Sequence, residues 1–177
     1  MSTLIMTVGT GRRRSDIAEA LLFGIDRHRP NKVVFLCTAK SEEETVPFIV
    51  KGLGELEYEV VCHSNENDVQ YLYRAYLEQM KKYDEIVVDF TSGTKAMSAA
   101  VFAAAISAEA RKVSYITGPR DSTGRVIEST GVVSLSPVEV IAERQLQRAR
   151  ELFRLCDFHA AAELADSYRQ ALPVRIS

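Results

Sequence analysis

The stretch that decides the fold is "EIVVDFTSGTKAMSAA", residues 85–100, in which an apolar run, a polar loop and an alanine-rich segment follow one another. The apolar run contains β-branched residues and predicts a strand, whereas the alanine-rich segment favours a helix. Between them, residues 91–95 place three hydroxyls, one glycine and one lysine in five positions. This strand-to-helix turn therefore carries an unusual density of hydrogen-bonding groups.

The same alternation of strand and helix occurs along most of the chain. Further apolar runs bounded by turn residues cover residues 3–9, 32–38, 58–64 and 112–118, and helix-length segments separate them. Continuous apolar runs are typical of strands that are covered on both faces, and strands alternating with helices imply right-handed crossovers. The sequence predicts an α/β fold with a doubly wound, mostly parallel sheet over residues 1–136. Helix starts are indicated by the patterns Ser41-x-x-Glu44 and Asp16-x-x-Glu19.

The pattern changes after residue 118. Residues 119–136, "PRDSTGRVIESTGVVSLS", contain two glycine turns and predict a β-hairpin added at a sheet edge. Residues 137–177 are predicted to form a partial helical segment, either a helical linker or the start of a C-terminal domain, with one helix to about Cys156 and another over 158–172. An apolar face on these helices has nothing left in the chain to cover it, so it indicates either a truncated second domain or a partner subunit. Its members are Leu152, Leu155, Phe158, Ala161, Leu164 and Ala165.

Composition excludes several classes of protein. The formal net charge is −2 over 177 residues, which argues against a surface that coats long nucleic acid. No apolar run approaches the roughly 20 residues that span a bilayer, and residues 1–8 do not resemble a secretory signal, so we expect a cytoplasmic protein. The cysteines at positions 37, 62 and 156 have no CxxC spacing, which predicts buried, reduced thiols without a disulfide or a metal site. We predict no cofactor.

A second loop of interest is "VGTGRRRSD", residues 8–16, after the first strand. It lacks the third glycine of a dinucleotide fingerprint, because Arg14 occupies that position, and the second strand ends in Cys37 and Thr38 without a carboxylate for a ribose. Neither loop contains the Gly-Lys-Ser/Thr order of a Walker loop. NAD binding and NTP hydrolysis are therefore disfavoured.

A more general anion-binding device fits both loops. Glycines at a strand-to-helix turn expose backbone N–H groups, and the positive end of the helix dipole lies beside them. In the sheet order 3-2-1-4-5 the two loops would face one crevice and form a phosphate site, although each alone could be an ordinary turn and helix cap. We expect Asp89 to hydrogen-bond its own loop rather than to bind a metal. The candidate residues are Gly9, Thr10, Gly11, Arg12, Arg13, Thr91, Ser92, Gly93, Thr94 and Lys95.

The stretch "DFTSGTKAM" resembles the D/N-x-T-G-G-T-K-x-M signature of CARF domains, the CRISPR-associated Rossmann-fold sensors of type III systems, with Ser92 where a glycine is usual. "TVGTGRRRSDIAEAL" is similar to the first motif of that family. The resemblance implies a Rossmann-like fold and a homodimer that binds a cyclic oligoadenylate, usually the tetramer or hexamer, across its twofold axis. It carries the ligand-binding role to Gly9–Arg12, to Thr91–Lys95 and to Met97. Thr38, with Cys37 and Lys40 beside it, is a weaker candidate for the rim.

The resemblance leaves three functions open. The leading hypothesis is a sensor that controls an attached effector such as a HEPN ribonuclease. Arg154 and His159 match the loose spacing of that nuclease motif, but the bend expected near Asp157 favours a structural role for both. A second hypothesis is slow, metal-independent cleavage of the bound ring by Thr10, Thr91, Ser92 and Lys95, and a third is a transcriptional regulator. Ring size, cleavage, the effector and the completeness of the chain stay open.

Overall fold

The structure is a computed structural model that describes residues 2–11, 14–119, 122 and 128–169. The chain forms two compact units, one reaching to Leu135 and one beginning at Ser136. The first unit contains a single six-stranded sheet with helices on both faces. No helix in the described ranges is both long and apolar enough to cross a membrane.

The sheet has the order β3-β2-β1-β4-β5-β6, in which β1 to β5 are parallel and β6 is antiparallel. The predicted doubly wound fold and its strand order are therefore confirmed. The strands are β1 (Ser2–Thr7), β2 (Lys32–Cys37), β3 (Glu57–Cys62), β4 (Glu85–Asp89), β5 (Lys112–Thr117) and β6 (Gly131–Leu135). The helices of this unit are α1 (Arg14–His28), α2 (Ala39–Glu44), α3 (Val46–Val50), α4 (Val69–Met80) and α5 (Lys95–Ser107).

The central strands are buried on both faces, which explains their unbroken apolar sequences. Ile5 of β1 belongs to the core under α4 and α5, whereas its neighbours Leu4 and Met6 belong to the core under α1 and α3. All three are fully buried. β3 differs because it is the edge strand, and Tyr58 on it is 45% exposed.

Two predicted helix starts are wrong by a few residues. α2 is capped by Thr38 rather than Ser41: the hydroxyl of Thr38 accepts a hydrogen bond from the Ser41 N–H over 3.2 Å, and the Thr38 N–H donates to the Ser41 hydroxyl over 2.9 Å. The reason is that β2 ends at Cys37, so the chain turns into the helix one residue later. α1 begins at Arg14, which places Asp16 in its first turn instead of at its cap.

The predicted edge hairpin is described only in part. β6 pairs antiparallel with β5, with Thr117 opposite Gly131, so β5 supplies one arm of the hairpin. Residues 120, 121 and 123–127 lie outside the described residues.

The second unit is a pair of helices, α6 (Pro137–Arg154) and α7 (Phe158–Arg169). Cys156 has a φ of 63° in the turn between them, and the Asp157 carboxylate accepts from the Ala160 N–H over 3.2 Å to begin α7. The bend expected at this point is confirmed. Residues 170–172 of the predicted second helix lie outside the described residues.

Candidate ligand-binding site

The two predicted loops lie side by side at one edge of the sheet. β1 and β4 are neighbours, with Met6 opposite Asp89, so the loops that follow them leave the sheet together. The backbone N–H of Gly9 donates to the Ser92 hydroxyl over 3.0 Å, and the hydroxyl of Thr7 donates to the Ser92 carbonyl. The structure therefore joins the first and second loops by direct hydrogen bonds.

Glycine is required on both sides of this junction. A Cβ built on Gly9 would lie 2.7 Å from the backbone nitrogen of Gly93, closer than real Cβ atoms come to other atoms. Gly93 has a φ of 101°, a conformation that side-chain-bearing residues rarely adopt. Ser92 is not among the residues with positive φ, so the serine in place of the usual glycine introduces no backbone strain.

Three hydroxyls of the second loop have partners within the protein. Thr91 Oγ1 accepts from the Ile116 N–H over 2.8 Å, and Ser92 Oγ accepts from Gly9. Thr94 Oγ1 caps α5 by accepting from the Met97 N–H over 3.1 Å and donates to the Glu66 carbonyl over 3.0 Å. Because these bonds fix the loop in place, the hydroxyls act first as supports for its backbone.

The groups left available for a ligand are mostly backbone amides. Within the described residues, the N–H groups of residues 92–96 donate to no protein acceptor, and α5 directs the positive end of its dipole to the same place. The side chains of Thr10 and Lys95 are exposed and have no hydrogen-bond or ion-pair partner in the described part of the chain. Gly11 is exposed as well, whereas Arg12 and Arg13 lie outside the described residues. This arrangement suits a phosphate or another oxyanion.

Asp89 supports the loop from below. It is fully buried, and its carboxylate accepts from the Thr91 N–H over 3.0 Å and from the Ser114 hydroxyl over 2.8 Å. The prediction that Asp89 bonds its own loop is confirmed. Burial raises the pKa of Asp89, while its hydrogen bonds to Thr91 and Ser114 act in the opposite direction. His28 Nε2 lies 2.9 Å from the Ser114 hydroxyl, and burial lowers the pKa of this histidine.

The remaining candidates have structural roles of their own. Thr38 caps α2, and Lys40 is exposed in the same helix. The Met97 side chain is 1% exposed and packs in the core beside Gly93, so it shapes the loop from inside rather than from the ligand side. In the part of the chain that the structure describes, no cluster of three or more His, Cys, Asp or Glu residues is arranged to hold a metal.

Sequence reasoning missed the contacts that hold the loops in place from outside the motifs. Thr45 donates from its hydroxyl to the Gly9 carbonyl over 3.0 Å, and Glu66 provides the carbonyl that Thr94 binds. Neither residue belongs to a local motif. The strand order was a signal for Thr45, because it places the segments after β2 and β1 next to each other. It was no signal for Glu66, which follows β3, because β3 does not neighbour β4.

Comparison with known proteins agrees with this fold. The family model of the Card1 CARF domain matches residues 23–141, well over half of the chain, and the chain belongs to that family. The matched range includes the second loop and begins after the first. No curated protein sequence matches significantly.

Solved structures show the same architecture at low sequence identity. Enterococcus italicus Csm6 bound to cyclic hexa-2'-fluoro-hexa-dAMP has a TM-score of 0.73 and 17% identity, over 96% of this chain and 50% of the other. Can2 from Sulfobacillus thermosulfidooxidans in complex with cyclic tetra-adenylate has a TM-score of 0.54 and 16% identity, over 65% of this chain and 32% of the other. The chain thus spans half the length of the first protein and about a third of the second.

Proposed function

We propose that this chain is a sensor domain that binds a cyclic oligoadenylate at the paired loops and passes the binding event to an attached effector. The observation that carries the proposal is the hydrogen bond between Gly9 and Ser92, which brings the two loops together. The family supports a nucleotide ligand, and the two structural relatives were solved with cyclic adenylates bound.

The charges and donors at the loops suit the phosphates of such a ring. Backbone N–H groups of residues 92–96 and the ammonium of Lys95 would surround a phosphate, while Thr10 would donate from the first loop. A homodimer would double this set around a twofold axis, and a ring with rotational symmetry matches such a site. One ring per two chains is therefore the stoichiometry of the proposed complex.

Titration calorimetry of the chain against cyclic tri-, tetra- and hexa-adenylate, with ATP and NAD in parallel, tests the proposal. We expect one ring to bind with a stoichiometry of one per two chains, while ATP and NAD bind far more weakly. Equal binding of ATP and the rings would contradict the proposal, and so would the absence of binding by every ring.

A charge-matched pair of variants sharpens the test. Lys95→Gln removes the exposed ammonium at the site, whereas Lys51→Gln removes an exposed ammonium that lies over the Phe48 ring after α3. Loss of an ion pair with phosphate should weaken ring binding about tenfold or more in the first variant and leave the second unchanged. Equal losses in both would show that net charge, not the site, governs affinity.

Chromatography of the incubated mixtures separates sensing from cleavage of the ring. Of the four residues predicted to catalyse cleavage, Thr10 and Lys95 are free within the described residues, while Thr91 and Ser92 hold the loop through their hydroxyls. An intact ring after many hours supports a sensor alone. Linear products from the parent chain that are lost in Lys95→Gln, at ring concentrations that saturate both proteins, would establish a ring nuclease.

A further inference from the structure

The cysteines at the ends of β2 and β3 form a close pair that the sequence did not indicate. Cys37 and Cys62 stand opposite each other in the register of these parallel strands, so their side chains point to the same side of the sheet. Their Sγ atoms are 2.9 Å apart. The prediction of buried thiols is confirmed for Cys37 and is wrong for the other two cysteines. Cys62 is exposed because β3 is the edge strand, and Cys156 is exposed in the turn between α6 and α7.

We propose that Cys37 and Cys62 are an oxidation-sensitive modification site that closes to an intramolecular disulfide. Neighbouring strands bring paired Cα atoms to about 5 Å, which is within the range that a disulfide spans. The exposed thiol of Cys62 gives an oxidant access, and the buried thiol of Cys37 is the resolving group. Glu42 lies beside the pair, but within the described residues no group of three or more His, Cys, Asp or Glu side chains is arranged to hold a metal ion.

The chemistry balances with a peroxide as the oxidant. Peroxide oxidises the Cys62 thiol to a sulfenic acid and releases one water. The Cys37 sulfur then attacks the sulfenic sulfur, forming the S–S bond and releasing a second water, so two thiols and one peroxide give one disulfide and two waters. Glu42 Oε2 accepts from the Cys62 thiol at 2.9 Å and is placed to take its proton.

Both thiols of the pair favour their protonated form. Burial raises the pKa of Cys37 and also that of Cys62, and the Glu42 carboxylate raises the pKa of Cys62 further. Because the thiolate is the reactive form, the raised pKa values slow the reaction of the pair with peroxide. We therefore expect disulfide formation to require prolonged exposure to the oxidant. The crosslink would enclose α2, α3 and Thr45, which supports the Gly9 carbonyl of the first loop.

The test uses Cys156→Ser, in which Cys37 and Cys62 are the only thiols. After peroxide treatment and digestion, mass spectrometry should show a peptide pair linked through Cys37 and Cys62, on a monomer that has lost two hydrogen atoms. Dithiothreitol should restore both thiols. The double variant Cys156→Ser/Cys62→Ser is the control and should form no intramolecular link.

Two physical readouts accompany the chemical one. The crosslink closes a loop of about 25 residues and should raise the Tm by about 5–10 °C, reversibly. The His63 amide, which donates to the Cys37 carbonyl at 2.9 Å, should exchange more slowly in the oxidised protein. Two titratable thiols after prolonged oxidation, a sulfinic acid at Cys62 without a link, or crosslinks only between molecules would each overturn the proposal. None of these outcomes depends on ligand binding.

Discussion

The backbone N–H of Gly9 donates to the Ser92 hydroxyl over 3.0 Å, and this bond joins the two loops of the candidate site. Gly9→Ala would bring a methyl group to 2.7 Å from the Gly93 nitrogen and push the loops apart. We expect a loss of about 1–3 kcal/mol in the free energy of unfolding, as for other overpacked sites, and at least a tenfold loss of ring affinity by calorimetry. Gly131→Ala is the control, since its new Cβ would meet its nearest atom at an ordinary 3.5 Å. Unchanged affinity in Gly9→Ala would show that the junction does not shape the site.

Thr94 and Thr10 should respond differently to the loss of their hydroxyls. Thr94→Ala removes the cap of α5 and the bond to the Glu66 carbonyl, so urea denaturation should show a loss of about 1–2 kcal/mol. Thr10→Ala removes an exposed hydroxyl without a partner among the described residues. This variant should leave the free energy of unfolding unchanged and should lower the affinity for the cyclic ligand. Thr94→Ser should restore most of the loss. Equal stability of Thr94→Ala and the parent chain would remove the supporting role assigned to this hydroxyl.

Asp89→Asn should change how stability depends on pH. The folded-state pKa of Asp89 is raised by burial, so its contribution to stability is present below the unfolded pKa of about 3.9 and is lost as pH rises through the folded value. Asparagine does not titrate, and its carbonyl can still accept from the Thr91 N–H. The stability of Asp89→Asn relative to the parent should therefore increase from pH 4 to pH 7 in urea titrations. The opposite trend would mean that hydrogen bonds to the carboxylate outweigh its burial.

Tyr76 and Tyr83 allow the contribution of a phenol hydroxyl to stability to be compared without and with a hydrogen-bond partner. The Tyr76 hydroxyl is buried and has no hydrogen-bond partner in the described residues, whereas the Tyr83 hydroxyl donates to Glu59 Oε2 over 2.8 Å. Tyr76→Phe should be neutral or stabilising, because an unsatisfied buried polar group is removed. Tyr83→Phe should lose about 1 kcal/mol or more, since its acceptor is charged. A cost for Tyr76→Phe as large as that for Tyr83→Phe, measured by urea denaturation, would indicate a bound water at Tyr76.

The strands of the sheet and the helices around it could be predicted from the sequence, because the patterns that indicate them are local. The strand at residues 85–89 and the helix from Lys95 follow from composition and periodicity. The strand order agrees with the common doubly wound arrangement, which we adopted as a starting assumption. That arrangement placed the loops after β1 and β4 at one edge. The step from an anion site to a particular ligand depends on the resemblance of two short motifs, residues 89–97 and 7–21, to one family.

The contacts within the site could not be predicted from local sequence patterns, because they join residues that are distant in the sequence. The motif predicts that the hydroxyls of Thr91 and Thr94 bind a ligand. In the structure Thr91 instead bonds Ile116 and Thr94 bonds Glu66, and each partner is distant from its threonine in the sequence. The pairing of Cys37 with Cys62 depends on the register of β2 against β3, which a sequence without the sheet does not specify. The spacing of Ser41 to Glu44 predicts a cap at Ser41, but the cap is Thr38 because β2 ends at Cys37.

The internal bonds of Thr94 have a consequence for the kinetics of recognition. A loop whose shape is already set at folding loses little further conformational freedom when a ligand arrives. A ligand then binds without a slow rearrangement of the loop. We expect the affinities of different ligands to differ in their dissociation rates more than in their association rates. For the proposed cyclic ligand, a ring of the wrong circumference would meet a second loop that Thr94 already holds in one shape.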